Sequence, residues 1–236
     1  MLLGAILSLI LGMGNLVIWL GIVIPQVYKN YKRGSSDAVS YLLYLKWMIG
    51  GVISLFSAIL KGVNITVLYV GIHHQVMNVI LIAQLIYYRI RNKTYITEFE
   101  SILTLVLIGC ITILFIAILS LSDGIQKILI EILAWCAAML FSTSRLHQIY
   151  LNWERKSVDG LAKWSFFSMI FTDVFFITSI LVNAIDGEKT ILELIYLNIQ
   201  WISTCCITLT CTFIIIYQFH IYKNGYVQIN TENFEV

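Results

Sequence analysis

PQVYKNYKRGSSDAVS (Pro25–Ser40) and HQIYLNWERKSVDGLA (His147–Ala162) are two versions of one sixteen-residue stretch, set 122 positions apart. Six positions are identical: Gln26/Gln148, Tyr28/Tyr150, Asn30/Asn152, Arg33/Arg155, Ser35/Ser157 and Asp37/Asp159. Val27/Ile149, Tyr31/Trp153 and Val39/Leu161 are conservative. Each copy ends a long apolar run and opens a basic loop, a context that chance does not explain. The same shift lays the first apolar run on the fifth and the second on the sixth. The third falls on the seventh with a small change in loop length. Self-similarity of this kind predicts two like structural units.

The apolar runs have membrane dimensions. The chain of 236 residues is 59% apolar and 12% charged, whereas soluble domains are about half apolar and about a quarter charged. This composition excludes an ordinary globular enzyme, a disordered chain and a secreted disulfide scaffold. A net charge of +2 is too small for a nucleic-acid partner, which needs a clustered basic surface. Cys110, Cys136, Cys205, Cys206 and Cys211 lie in apolar runs without metal-ligand spacing, so they read as packing residues. Met1–Tyr28 carries no charge and reads as a membrane span rather than a cleaved signal. At about 20 residues per crossing, seven spans are predicted at 4–26, 41–60, 66–88, 101–121, 127–149, 164–184 and 192–219.

Lysine and arginine set the orientation. Twelve border loops one, three and five and the tail, Arg145 counted among those of loop five; Lys61, Lys127 and Lys189 stand against them on the other side. The expectation is a lumenal N-terminus and a cytosolic C-terminus. Two triplets of helices can keep one orientation only if an odd helix joins them. The predicted plan is therefore a triple-helix repeat over 1–95, a linker helix over 96–122, a second triple-helix repeat over 123–222 and a cytosolic tail over 223–236. Such parallel repeats characterise transporters with a site between the halves.

The doubled segments resemble the paired loops of the PQ-loop membrane protein family. The likeness is greatest to the lysosomal and vacuolar amino-acid transporters of the solute carrier 66 group, with cystinosin and the SWEET sugar facilitators more distant. The resemblance implies an all-α, seven-helix 3+1+3 membrane protein. It implies a carrier exporting amino acids, cationic ones in that group, from lysosome or vacuole to cytosol by alternating access under the influence of protons. No metal or nucleophile–base constellation appears in the sequence, so no enzymatic function, cofactor or metal is expected. The sequence departs from the family pattern at several places. His147 replaces the second proline, Gly51 follows Trp47 and Gly50 where W-x-x-G-D is usual, and Asn78 and Thr212 stand six residues before Gln84 and Gln218 where aspartate is usual. Asp173, the repeat mate of Gly51, is a carboxylate where relatives have asparagine. These changes leave open a SWEET-like uniporter of a neutral solute, or a transport-dead nutrient sensor or trafficking receptor.

Several residues carry these expectations. Pro25 lacks an N–H and crowds the carbonyl of Gly21, which predicts a kink near one end of span one; it is either a gating hinge or a static bend. His147 restores the N–H and predicts a straight helix. Gln26 and Gln148 are polar groups at matching depth beside these two positions. In span three, His74 and Asn78 share one helix face, and with Gln75 they form a polar stripe that lines a cavity or bonds a neighbouring helix. Asp173 lies near the middle of span six, where a carboxylate costs about 2.5–3.5 kcal/mol, so it should face the interior and bind a partner, a proton or a substrate amine; Gly51 leaves space opposite. Asn64-Ile65-Thr66 matches a glycosylation acceptor in a very short loop. Tyr226-Val227-Gln228-Ile229 resembles a tyrosine-based endolysosomal sorting signal, with Tyr226 and Ile229 facing an adaptor.

Overall fold

The computed structural model describes residues 3–61, 65–92, 106, 109–110, 113, 116–118, 120–185 and 190–222. Among them, six stretches are helical, long and apolar enough to cross a membrane. The first run divides into α1 (Leu3–Gly21) and α2 (Ile24–Arg33), with Pro25 in the first turn of α2. Proline removes the bond to the fourth carbonyl back but fits the start of a helix, where that N–H has no partner anyway. Spans two and three are α3 (Tyr41–Leu60) and α4 (Ile65–Arg91). Span five is α5 (Asp123–Arg155), 33 residues without interruption through His147. Both the break at Pro25 and the continuity at His147 follow the sequence expectation. Span six is α6 (Lys163–Leu181), extended by a 3-10 turn over Val182–Ala184.

The last run was expected as one helix over 192–219 and is two, α7 (Ile191–Leu197) and α8 (Ile199–Ile221). At Asn198 the backbone leaves helical geometry (φ −117°, ψ 17°), and its Nδ2 donates to the Leu194 carbonyl at 2.9 Å. A short amide side chain competing for local backbone groups interrupts a helix in this way. Most of the expected fourth span lies outside the described residues, as do Asn64, Tyr226 and Ile229.

The third long helix of each half lies between the other two. Thus α4 packs on α1 and α3, and α8 packs on α5 and α6. The halves meet through α3 against α5 and α1 against α6. Small residues permit both crossings. A Cβ at Gly50 would sit 3.4 Å from the Ala137 carbonyl, and one at Gly14 would sit 3.1 Å from the Phe175 ring. Close approach of this kind drives helix association in lipid, where apolar burial alone gives no preference for protein over acyl chains. Trp47 Nε1 also donates to Ser144 Oγ at 2.9 Å, Lys46 Nζ to Thr143 Oγ1 at 2.9 Å, and Ser8 Oγ to the Ser179 carbonyl at 2.8 Å. Lys46 therefore bonds the neighbouring half. At the opposite end Lys61 pairs with Glu131 at 2.6 Å, and Glu193 closes a capping box with Thr190.

The repeated loops are two copies of one conformation. Helices α2 and α5 both end on a left-handed residue, Gly34 (φ 60°) and its mate Lys156 (φ 48°). Ser35 N and Ser157 N donate back to Asn30 O and Asn152 O, each at 3.3 Å. Just inside these loops lies a dry plug that includes Ile22, Leu43, Leu85, Leu161 and Ile215, all nearly inaccessible. Large apolar side chains such as Leu9, Val79, Met139, Phe171 and Phe213 are exposed on the outside of the bundle, as a lipid-facing surface requires.

Candidate functional site

Gln26 and Gln148 build a reciprocal lock between the halves. Gln26 Oε1 accepts from Ala162 N at 2.7 Å, while its Nε2 donates to Gly160 O at 3.0 Å and Asn30 Oδ1 at 2.8 Å. Gln148 repeats each bond: its Oε1 accepts from Ser40 N at 2.8 Å, and its Nε2 donates to Ala38 O at 2.9 Å and Asn152 Oδ1 at 2.8 Å. The two asparagines continue the pattern into the third helices. Asn30 Nδ2 reaches Gln84 Oε1 at 3.0 Å, and Asn152 Nδ2 reaches Gln218 Oε1 at 2.8 Å. Gln84 and Gln218 then donate to Val27 O and Ile149 O, both at 2.9 Å. Each glutamine thus ties its own helix to the loop of the other half, fully satisfied inside a buried layer.

Charged groups outside this layer add a weaker tie. Arg33 approaches Asp37 at 3.4 Å and Asp159 at 3.5 Å, and Arg155 approaches Asp37 at 3.3 Å. Burial alone would raise the Asp37 pKa, but the Ser35 hydroxyl and then the Arg155 and Arg33 guanidinium groups hold it below the ordinary carboxylate range. Gly160, in the left-handed region at φ 96°, admits the Arg33 guanidinium where a Cβ would collide with it. The loop end of the bundle is closed.

Away from that end the helices part around a cavity of about 270 Å³. Its floor holds Arg145 from α5 and Asp173 from α6, whose Nη1 and Oδ2 atoms lie 4.0 Å apart. Their side chains are only 4% and 9% exposed. Arg145 is ten residues from the end of α5 and Asp173 ten from the start of α6, which puts both about 15 Å in from the loop end of their helices. Thr208 Oγ1 on α8 donates to Asp173 Oδ2 at 2.8 Å, and the Cys205 side chain bonds the same carboxylate. Arg145 also lies over the Trp47 ring at 5.8 Å.

The first half faces these charges with rings. His74 stands edge-on to Trp19 at 4.7 Å and lies 5.5 Å from Trp47. Both His74 ring nitrogens are buried without a hydrogen-bond partner among the described residues. Farther from the loops the wall consists of Asn15, Ser54, Val70, Phe176 and Trp201, with Phe176 and Trp201 in an edge contact at 6.4 Å. The cavity offers an ion pair, aromatic surface and a few hydroxyls, the composition of a small-molecule site.

The sequence-selected residues divide between these two places. Pro25, Gln26, His147 and Gln148 belong to the closed end. Asp173 and His74 line the cavity, as do Trp201 and Thr204. Asn78 does not: it is fully buried one helical turn from His74 towards the loops, with both amide atoms unpartnered among the described residues. The space expected opposite Gly51 is also taken, because a Cβ there would collide with the Gln75 amide. Arg145 is the main correction. It was counted as a loop charge, but the continuous helix α5 carries it into the bundle, leaving eleven basic residues against three in the orientation count. Its position inside the expected span 127–149 was the available signal, because the lone carboxylate of span six required a cation.

Two helix triplets of one design, locked at one end around a central cavity, define a parallel-repeat membrane transporter fold. The PQ loop repeat family matches residues 7–67 and 129–187, just over half of the chain, and the protein belongs to that family. A solved eukaryotic SWEET transporter superposes with a TM-score of 0.61 at 15% identity, over 94% of this chain and 99% of its own; the shared fold is the seven-helix 3+1+3 arrangement. Among relatives by sequence, a vacuolar lysine transporter of Saccharomyces cerevisiae is 21% identical over 93% of this chain and 94% of its own length. A lysosomal amino acid transporter 1 homolog of Gallus gallus is 23% identical over 92% of this chain and 81% of its own.

Proposed function

We propose that the protein carries amino acids across a vacuolar or lysosomal membrane towards the cytosol by alternating access, with the cavity at Arg145 and Asp173 as the substrate site. The observation that carries this reading is the buried ion pair at the floor of a cavity between two like halves. A charge pair inside a bilayer is costly and marks a solute or ion pathway. The names of the relatives support the solute class and the compartment. The residual bias of basic residues supports a lumenal N-terminus and a cytosolic loop end. In that orientation the described conformation is shut towards the cytosol by the glutamine lock, the dry plug and the outer ion pairs. Opening requires the reciprocal bonds of Gln26 and Gln148 to separate, and the break at Pro25 gives α2 freedom to move with the loop it carries.

Asp173 accepts a substrate ammonium or a proton in turn, so that a pH gradient biases release. Arg145 supplies a standing counter-charge in the same site, and the proton is a modulator rather than a requirement. Reconstitution into liposomes with counterflow of labelled amino acids, with and without a pH gradient, tests the reading. Accumulation of label against a preloaded amino acid is expected. Folded protein that binds amino acids without counterflow would make it a sensor, and protein that neither binds nor moves them would refute the amino-acid reading. A protease applied to intact organelles should remove a C-terminal tag and spare an N-terminal one; the reverse would invert the orientation.

A further inference from the structure

Arg145 brings a permanent charge into an apolar bundle, and its guanidinium is only partly answered there. Asp173 at 4.0 Å balances the charge but is too far for a hydrogen bond. Nε and Nη1 of Arg145 are buried without an acceptor among the described residues. Buried donors of a charged group are rarely left unmade, and a guanidinium fork matches a carboxylate with two parallel bonds. Beside it, Asp173 has one oxygen engaged by Thr208 and lone pairs remaining for an ammonium. The floor therefore presents a carboxylate receptor and an ammonium receptor side by side. An α-amino acid carries those two groups one carbon apart.

The pair also fixes the charge that the site accepts. Arg145 and Asp173 cancel, and among the described residues the cavity wall holds no further acidic or basic side chain besides the His74 imidazole. A zwitterion leaves the balance untouched. A second cation on the solute would lie close to Arg145 with no further carboxylate among the described lining residues to receive it. The wall towards Phe176 and Trp201 carries no charge among the described residues, with Asn15 and Ser54 as its polar groups, and suits an uncharged side chain. We infer that the site selects α-amino acids with neutral side chains, the α-carboxylate on Arg145 and the α-ammonium on Asp173, and that Arg145 excludes lysine-like solutes. This rests on the transporter reading and narrows it.

The test is the thermal midpoint of the purified full chain in detergent, titrated with leucine, phenylalanine, lysine, leucinamide and 4-methylpentanoate. Leucine and phenylalanine should stabilise the protein. Lysine, the amide lacking a carboxylate and the acid lacking an ammonium should need concentrations about 30-fold higher or more. Arg145→Lys keeps the charge against Asp173 but loses the fork. Its unliganded midpoint should stay near the wild-type value while leucine binds about tenfold more weakly. Lysine binding as well as leucine would overturn the inference and leave the transporter reading intact, and equal binding of leucinamide would remove the carboxylate role of Arg145. If no amino acid shifts the midpoint and none drives counterflow, the transporter reading itself falls.

Discussion

In the first half, the helix leading into the repeated loop breaks after Gly21 and resumes at Ile24; in the second, its counterpart runs unbroken from Asp123 to Arg155. The two loops that follow nonetheless share one backbone conformation and the same glutamine bonds, at 2.7 and 2.8 Å. At cavity level the likeness disappears again. Where the second half places Arg145 and Asp173, the first has their repeat mates Val23 and Gly51; where the first places Trp19 and Trp47, the second has Phe141 and Met169. The difference follows from what each level does. A seal between two halves is satisfied by each half bonding the other in the same way. A site for a small asymmetric solute gains from holding its charges in one half, facing the Trp19, Trp47 and His74 rings of the other.

The largest expected effect lies in the charged half. Arg145→Met or Asp173→Leu alone strands one charge in the bundle and should cost about 3–5 kcal/mol of stability, whereas the double substitution should recover most of that loss. Denaturant titration of the three variants in detergent measures it. No recovery in the double variant would mean that the two residues are not coupled. Next comes the broken helix against the continuous one. His147→Pro should cost about 3 kcal/mol in the interior of α5, less where neighbouring groups take up the freed carbonyl. Pro25→Ala should change stability by far less, because that N–H has no helical partner at the start of α2. Equal costs in the two halves would refute the assignment of α2 as a separate helix.

Symmetry makes the third prediction. Gln26→Ala and Gln148→Ala each remove three bonds between like partners, so each should cost about 1–3 kcal/mol, and the two values should agree. Both variants should raise the accessibility of engineered cysteines on the dry plug to reagents applied from the loop side. A clear inequality would show that one half carries the closure. The smallest effect is that of pH on the outer ion pairs. The Asp37 carboxyl is held below its unfolded value, so its contribution is present above the ordinary carboxylate range and is lost as pH falls through the folded value. Between about pH 5 and 8 the loop-end contacts should therefore be insensitive to pH. The chemical shift of the Asp37 carboxyl carbon, followed over that range, checks this.

How much was legible beforehand depends on the kind of information required. The seven-helix plan follows from apolar length and from the sixteen-residue repeat, because both are one-dimensional. Pro25 and His147 gave the break and the continuity because the presence or absence of an N–H is decided by the residue itself. Depth in the bilayer was readable for Asp173. What could not be read was which helix face meets which. Arg145, two residues before His147, was grouped with the loop charges because it stands near the end of the expected span 127–149, whereas the helix runs on to Arg155 and leaves it inside the bundle. His74 and Asn78 share a face, yet only His74 reaches the cavity, since the bundle tightens by one turn towards the plug. Gly51 promised space, and the Gln75 side chain fills it from α4. The break at Asn198 depends on one local side-chain bond in a run whose composition otherwise reads as helix.

If solute binds between the halves on the pair Arg145 and Asp173, removing both charges abolishes transport. The most direct measurement is amino-acid counterflow by liposomes containing the Arg145→Met, Asp173→Leu double variant, with its stability checked beforehand. A folded protein that moves no amino acid is expected. Counterflow at the wild-type rate from that variant would place the solute path elsewhere and contradict binding on that pair.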